Sequence, residues 1–238
     1  MLLQNQRVVI VGGTSGIGLA VARGSIRNGA QVVVISSRQT SVDTALDRLG
    51  TQATGQTLNV QDADAVNQLF DSLGGIDHLV YTAGEALSLM PISELNLDRA
   101  RDFFQTRYFG ALNTVHGAVP HLRPGASITL TSGSAGERPG AGWALGASVC
   151  GAINSLTRAL AVELAPIRVN AVAPGVIRSP LWSQMSETDR DAMYAQLDQA
   201  LPAGRVGAVE DIAHAYLYCM TQAYGTGTVL NVDGGALL

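Results

Sequence analysis

Short, uninterrupted apolar runs alternate along this chain with stretches whose apolar residues recur at helical spacing. Residues 7–11 (RVVIV) form the first run and 14–28 the first helical stretch, followed by 31–36 (QVVVIS) and a helix near 42–49. Residues 56–60 and 63–73 make a third strand–helix pair, and 77–81 (DHLVY) a fourth strand ahead of a long helical region reaching about 122. Then come 127–131 (SITLT), a small-residue-rich helix over 146–164, 167–173 (IRVNAVA), a helix over 209–221 and a last strand at 228–232. Strands that are apolar throughout, rather than at alternate positions, belong to a parallel sheet covered on both faces. Right-handed crossovers then give a Rossmann-type doubly wound parallel sheet, α/β in class, with its ligand beyond the carboxyl ends of the strands. No repeat, linker or low-complexity stretch divides residues 1–238, so a single domain is expected.

Composition narrows the function more than the fold. Hydrophobic residues make up 47% of the chain and charged ones 14%, too apolar for disorder. The net charge of −4 comes without a basic cluster, which argues against nucleic acid and anionic membrane as partners. The polar start shows no signal peptide, and no apolar run reaches the roughly 18 residues of a membrane span, so a soluble, cytoplasmic protein is expected. Cys150 and Cys219 lack metal-ligand spacing and read as small buried hydrophobes. The chain contains no lysine, and all fifteen basic residues are arginine.

The glycines point to a ligand. Gly12, Gly13, Gly16 and Gly18 surround Thr14, Ser15 and Ile17 between the first strand and the first helix. Glycines there permit a tight turn, close approach of a phosphate to the backbone and close helix–strand packing, while the helix N-terminus offers unpaired N–H groups to a pyrophosphate. A plain tight turn is the alternative, but the strand–loop–helix context is the one dinucleotide binding requires. The second strand ends in Ser36, Ser37 and Arg38, with no carboxylate before Asp43. An acidic residue at that place would accept from the ribose 2′-hydroxyl of NAD(H), whereas an arginine among hydroxyls suits a 2′-phosphate, so NADP(H) is favoured over NAD(H).

With these features the sequence resembles the short-chain dehydrogenase/reductase family over essentially its whole length. The GxxxGxG loop has the family's form, although Val11 stands where threonine is common. Tyr81-Thr82-Ala83-Gly84 is similar to the family's Asn-Asn-Ala-Gly segment, with both asparagines replaced. Asn59-Val60 stands where an Asp-Val pair lines the adenine pocket, and residues 156–180, 201–212 and 229–235 match later family segments. The resemblance implies cofactor contacts at Gly12, Thr14, Ser15, Gly16, Ile17, Gly18, Ser37, Arg38, Asn59, Val60, Ala83, Gly84, Pro174, Gly175 and Ile177. It also implies hydride transfer between nicotinamide and a carbonyl or alcohol carbon, a segment over about 179–204 that covers the substrate, and assembly as a homodimer or homotetramer through helices near 100–119 and 146–164.

The family's catalytic groups are largely missing. Its tyrosine acid/base relies on a lysine four residues later to stabilise the phenolate, because a free phenol titrates at about 10. The match places Gly146 and Cys150 at those two positions, and no tyrosine lies between Ser127 and Pro180. None of the six tyrosines has arginine four residues on, and Arg107 takes the place of the helix asparagine. The serine falls at Ser132 or Gly133, and Ser132 is the candidate to hydrogen-bond a substrate oxygen. Loss of a positioned acid/base costs about 10²–10⁴-fold in rate.

Several residues near the expected nicotinamide admit two readings each. Arg107 could clamp an acidic substrate or stabilise an oxyanion, or merely pair with Asp102. Glu137 could be a buried acid or a solvated loop carboxylate, Trp143 a pocket wall or a packing residue, and the Tyr81 hydroxyl could approach the site. Trp182, Met185, Met193 and Tyr194 could line an apolar pocket or pack an amphipathic helix. Three functions follow: an NADP(H)-dependent oxidoreductase with a non-standard proton route, which leads; a non-redox cyclase or isomerase; or an inactive cofactor-binding subunit, paired with an active paralogue. A small-molecule substrate is expected in the first two.

Overall fold

The computed structural model describes residues 1–87 and 89–238. Seven strands form one parallel sheet: β1 (Arg7–Val11), β2 (Gln31–Ser36), β3 (Ala53–Thr57), β4 (Ile76–Tyr81), β5 (Leu122–Thr131), β6 (Arg168–Pro174) and β9 (Val229–Val232), in the order β3-β2-β1-β4-β5-β6-β9. Two short strands, β7 (Ile177–Arg178) and β8 (Gly207–Ala208), pair separately. The order reverses between β1 and β4, which opens the crevice in which such folds hold ligands.

The alternation of side chains explains why both faces need helices. In β1 and β2, Val8, Ile10, Val32 and Val34 join one apolar core, while Val9, Val11, Val33 and Ile35 join the other. The first face is covered by α1 (Gly16–Arg27), α2 (Gln39–Leu49) and α8 (Val209–Thr221). The second is covered by α3 (Ala63–Leu73), α4 (Leu97–Phe104), α5 (Gly110–Ala118) and α6 (Ala144–Glu163). Each fully buried valine or isoleucine stabilises the sheet by roughly 1.5–3 kcal/mol relative to exposure, so exposing either face is prohibitive. The remaining helix, α7 (Glu187–Ala200), packs instead into a separate small cluster around Trp182, Tyr194, Leu201 and Val206.

Three expectations are corrected. The third strand is Ala53–Thr57 rather than 56–60: Leu58 and Val60 are apolar because they pack into the core from the following loop, while the edge strand itself is mostly exposed. The long helix to residue 122 is two helices joined by a π-helical turn, Gln105–Phe109. Although no long apolar run is evident, the 20-residue α6 contains an 18-residue window of mean hydropathy 1.3, long and apolar enough by length and composition alone to span a bilayer. Its many alanines raise that average, and Val149, Ile153, Thr157 and Leu160 lie buried against the sheet.

Candidate functional site

The glycine loop is built by close contact. Gly12 has φ +84°, and a Cβ there would lie 2.6 Å from the Ala83 nitrogen. Gly18, in the first turn of α1, leaves 2.2 Å between an added Cβ and the Gly12 oxygen and 2.5 Å to Thr82 Oγ1. Helix α1 therefore sits directly on the ends of β1 and β4. Ser15 caps α1 without using its side chain, and the first turn holds no acidic residue. The N–H groups and positive dipole end stay free for an anion.

That N-terminus opens on a cavity of about 1090 Å3 along the carboxyl ends of the strands. Single-ligand pockets occupy roughly 300–1,000 Å3, so this one can take a dinucleotide with a second molecule beside it. All fifteen residues anticipated for the cofactor, and Ser132, line it. At the β2 end stand Ser36, Ser37, Arg38, Thr40, Ser41 and Thr44, with no carboxylate. Asp43 does not line the cavity, and its carboxylate accepts from Gln39 Nε2 at 2.8 Å. Among the described residues the Arg38 side chain makes no hydrogen bond or ion pair, and it is exposed. Cradle, helix end and arginine together fit an NADP(H) molecule.

The other end lies beyond β4 and β5. There Ser132 Oγ donates to Asn154 Oδ1 at 2.6 Å and to Cys150 O at 3.2 Å, so its proton is already engaged within α6. Donation to a substrate oxygen would require the hydroxyl to leave these partners. Asn154, one turn beyond Cys150 on the same helix face, escaped the sequence reading although its spacing was visible. Burial pushes the Cys150 thiol up, against the opposing pulls of the Ser132 hydrogen bond and Arg107. A thiol so held is a poor nucleophile.

Tyr81 is buried, and its hydroxyl donates to the Thr106 carbonyl in the π turn. Burial drives that phenol well above its ordinary range, so it stays protonated with its proton spent. Arg107 does not pair with Asp102. Its guanidinium lies 4.5 Å over the Phe103 ring, and Nη2 donates to the Glu85 carbonyl. Glu137 takes the solvated role, accepting from Asn231 Nδ2 at 3.3 Å outside the cavity. Trp143 and Trp182 both line the cavity, in edge contact at 6.1 Å. Met185, Met193 and Tyr194 do not line it; they pack the α7 cluster, with Arg178 over the Tyr194 ring.

The segment over about 179–204 already lies against the site. The Leu87 N–H donates to Leu181 O at 3.0 Å, and the Trp182 indole donates to Ile177 O at 3.1 Å. Glu85, also unanticipated, is the one carboxylate among the described lining residues. Burial raises its carboxyl above the ordinary value despite the attraction of Arg107. Its place directly after Gly84 was the available signal.

Sheet order and cavity define a Rossmann-type α/β protein, the class whose ligands lie across the strand ends. Comparison with known proteins narrows the class. The model of the SDR-like Rossmann domain matches residues 2–238, and the chain belongs to the short-chain dehydrogenase/reductase family. It is 38% identical to the short-chain dehydrogenase/reductase ucsE of Acremonium sp, covering 99% of this chain and 97% of that one. A small-chain dehydrogenase crystallised in complex with NADPH superimposes with a TM-score of 0.87 at 36% identity, over 98% of this chain and 99% of the other. The MalC reductase/Diels-Alderase of Malbranchea aurantiaca superimposes with a TM-score of 0.91 at 30% identity, over 98% and 97%.

Proposed function

We propose that this protein is an NADP(H)-dependent oxidoreductase that acts on a carbonyl or alcohol substrate without the tyrosine–lysine pair. The observation that carries the cofactor preference is Arg38, unpaired among Ser36, Ser37, Thr40 and Ser41 at a cavity end free of carboxylate. The similarity to the NADPH-bound small-chain dehydrogenase supports it. Bound NADPH supplies the hydride. The chain's residues orient it through the glycine loop and the α1 N-terminus, and Trp143, Leu181 and Trp182 narrow the water's access to the reacting end.

The proton follows a different path from the family's. Tyr81 and Ser132 have their protons committed to Thr106 and Asn154. Water or the substrate itself supplies it, with Glu85 at the cavity rim positioned to relay between solvent and interior. A second reading, ring formation or isomerisation in the same cavity, draws support from the likeness to MalC, whose name joins a reductase with a Diels-Alderase. Product formed without NADPH oxidation would favour it.

Titration decides first. The chain has two tryptophans and both line the cavity, so their quenching reports ligand entry. NADPH is expected to bind at least about tenfold more tightly than NADH, the worth of one charge-assisted hydrogen bond or more. Arg38→Glu should reverse that order. Equal binding of the two would overturn the Arg38 assignment, and binding of neither would overturn the redox reading.

A further inference from the structure

Two cations line the cavity among the described residues, Arg38 at one end and Arg107 at the other. The first is exposed and has the 2′-phosphate to meet, but the second has no assigned partner. Arg107 enters from the π turn between α4 and α5 and is largely enclosed. Among the described residues it forms no salt bridge. Its hydrogen bonding there is limited to Nη2 on the Glu85 carbonyl, and Nε is buried without any partner. A guanidinium carries five N–H donors, so most are unused.

Leaving such a group unpaired is costly in a protein interior. Burial pulls its pKa down, but an arginine starts so high that it stays charged at neutral pH. One ring and one carbonyl set where the charge sits. Phe103 lies under its plane, and a Cβ at Gly84 would fall 2.5 Å from Nη1, so a larger residue there would push the guanidinium from this position. The facing ionisable groups are Glu85, Cys150 and Tyr81. None neutralises it at hydrogen-bond range: the thiol and phenol are kept protonated by burial, and the Glu85 carboxylate makes no ion pair with it.

The apolar lining of the same cavity is equally specific. Trp143 and Trp182 meet edge to face, with Leu87 and Leu181 beside them. A cation that shares one cavity with two indoles and two leucines suits a molecule with an apolar ring system and one negative group. The cofactor's own phosphates are accounted for elsewhere, by the α1 N-terminus and Arg38.

We propose that the substrate of this protein is a ring-bearing organic anion, its carboxylate or enolate-type oxygen held by Arg107 and its apolar body by Trp143 and Trp182. The inference rests on the oxidoreductase reading for the word substrate, but the anion site stands or falls by itself. Where the group is an oxygen that gains charge during reaction, the same contact stabilises it without a proton donor, which suits a site that lacks the tyrosine.

The test uses 2-naphthoate and its neutral isostere 2-naphthamide, titrated by calorimetry and tryptophan quenching into the intact protein, with and without saturating NADPH. Naphthoate is expected to bind at least about tenfold more tightly than the amide, as a charge-assisted contact in an enclosed site should. Arg107→Met should abolish the preference with NADPH affinity unchanged, and Arg107→Lys should keep part of it. Equal affinity of the two probes, no binding of either, or a preference that survives in Arg107→Met would overturn the proposal. Failure to bind NADPH in the same titrations, with the naphthoate preference intact, would remove the redox reading and leave the anion site standing.

Discussion

Gly18 shows how much of this site rests on the absence of one methyl group. An added Cβ would lie 2.2 Å from a backbone oxygen, inside any real contact, so α1 would have to lift away from β1 and β4. Gly18→Ala is expected to cost about 1–3 kcal/mol of stability, as overpacking does, and to weaken NADPH binding by tenfold or more. Denaturant melts and NADPH titration of the variant check both; unchanged values would mean that the helix end is not the phosphate seat. At this scale the sequence was informative where chemistry is carried by residue type and spacing. The sequence singled out the glycine loop, Arg38 and Ser132, and apart from Gly13 these residues line the cavity. What a side chain does with its proton was not readable. Ser132 turns to Asn154 and Tyr81 to Thr106 because of contacts between segments 22 and 25 residues apart.

Elements were legible in proportion to their burial. Strands β1, β2 and β6, apolar on both faces, stood out as continuous runs, and α8 was located to the residue. The edge strand β3 was misplaced because the sheet covers it from one side only, and its apolar neighbours Leu58 and Val60 gave the stronger signal. The two-residue pair β7–β8 is too short to leave any pattern. Inside the sheet, β4 carries a buried histidine that ties the element to pH. His78 Nδ1 accepts from Ser127 Oγ at 2.8 Å, and Nε2–H donates to Gln6 Oε1 at 3.0 Å, which satisfies the neutral ring. Burial lowers its pKa from 6.5 to about 4, outweighing the attraction of Asp77, while Arg168 pushes the same way as burial. The unfolded chain therefore binds this proton first. The stability contribution is intact above about pH 6.5 and is lost as pH falls towards 4, by on the order of 3 kcal/mol in full. Urea unfolding between pH 7 and pH 4.5 should show that loss, and His78→Gln should flatten it. An unchanged slope in the variant would assign the acid sensitivity to other groups.

At the scale of the whole molecule, the π turn Gln105–Phe109 joins the site to the surface. It carries Arg107 into the cavity and leaves Phe109 half exposed on the outside. Beside Phe109 runs a groove of about 310 Å3 whose walls include Leu97, Ala100, Phe104 and Leu145, with Leu112 also exposed one turn along α5. We propose that this small apolar groove, with the exposed Phe109 and Leu112 beside it, is where a second copy of the chain docks. The family resemblance placed assembly on these same helices, and a symmetric partner would present the same patch in return. Sedimentation at micromolar concentration is expected to show a dimer or tetramer. Phe109→Glu combined with Leu112→Glu should shift it to monomer, because two carboxylates would be buried without partners in the contact. The double variant should keep its fold by circular dichroism, since both side chains are partly exposed in the single chain and do not support the sheet. A wild-type monomer would overturn the proposed assembly, and an assembly indifferent to both charges would place the interface elsewhere. With the proposed contact on the same turn as Arg107, loss of the neighbour should also loosen Arg107, read as a smaller preference for 2-naphthoate over 2-naphthamide in the monomer than in the assembled protein.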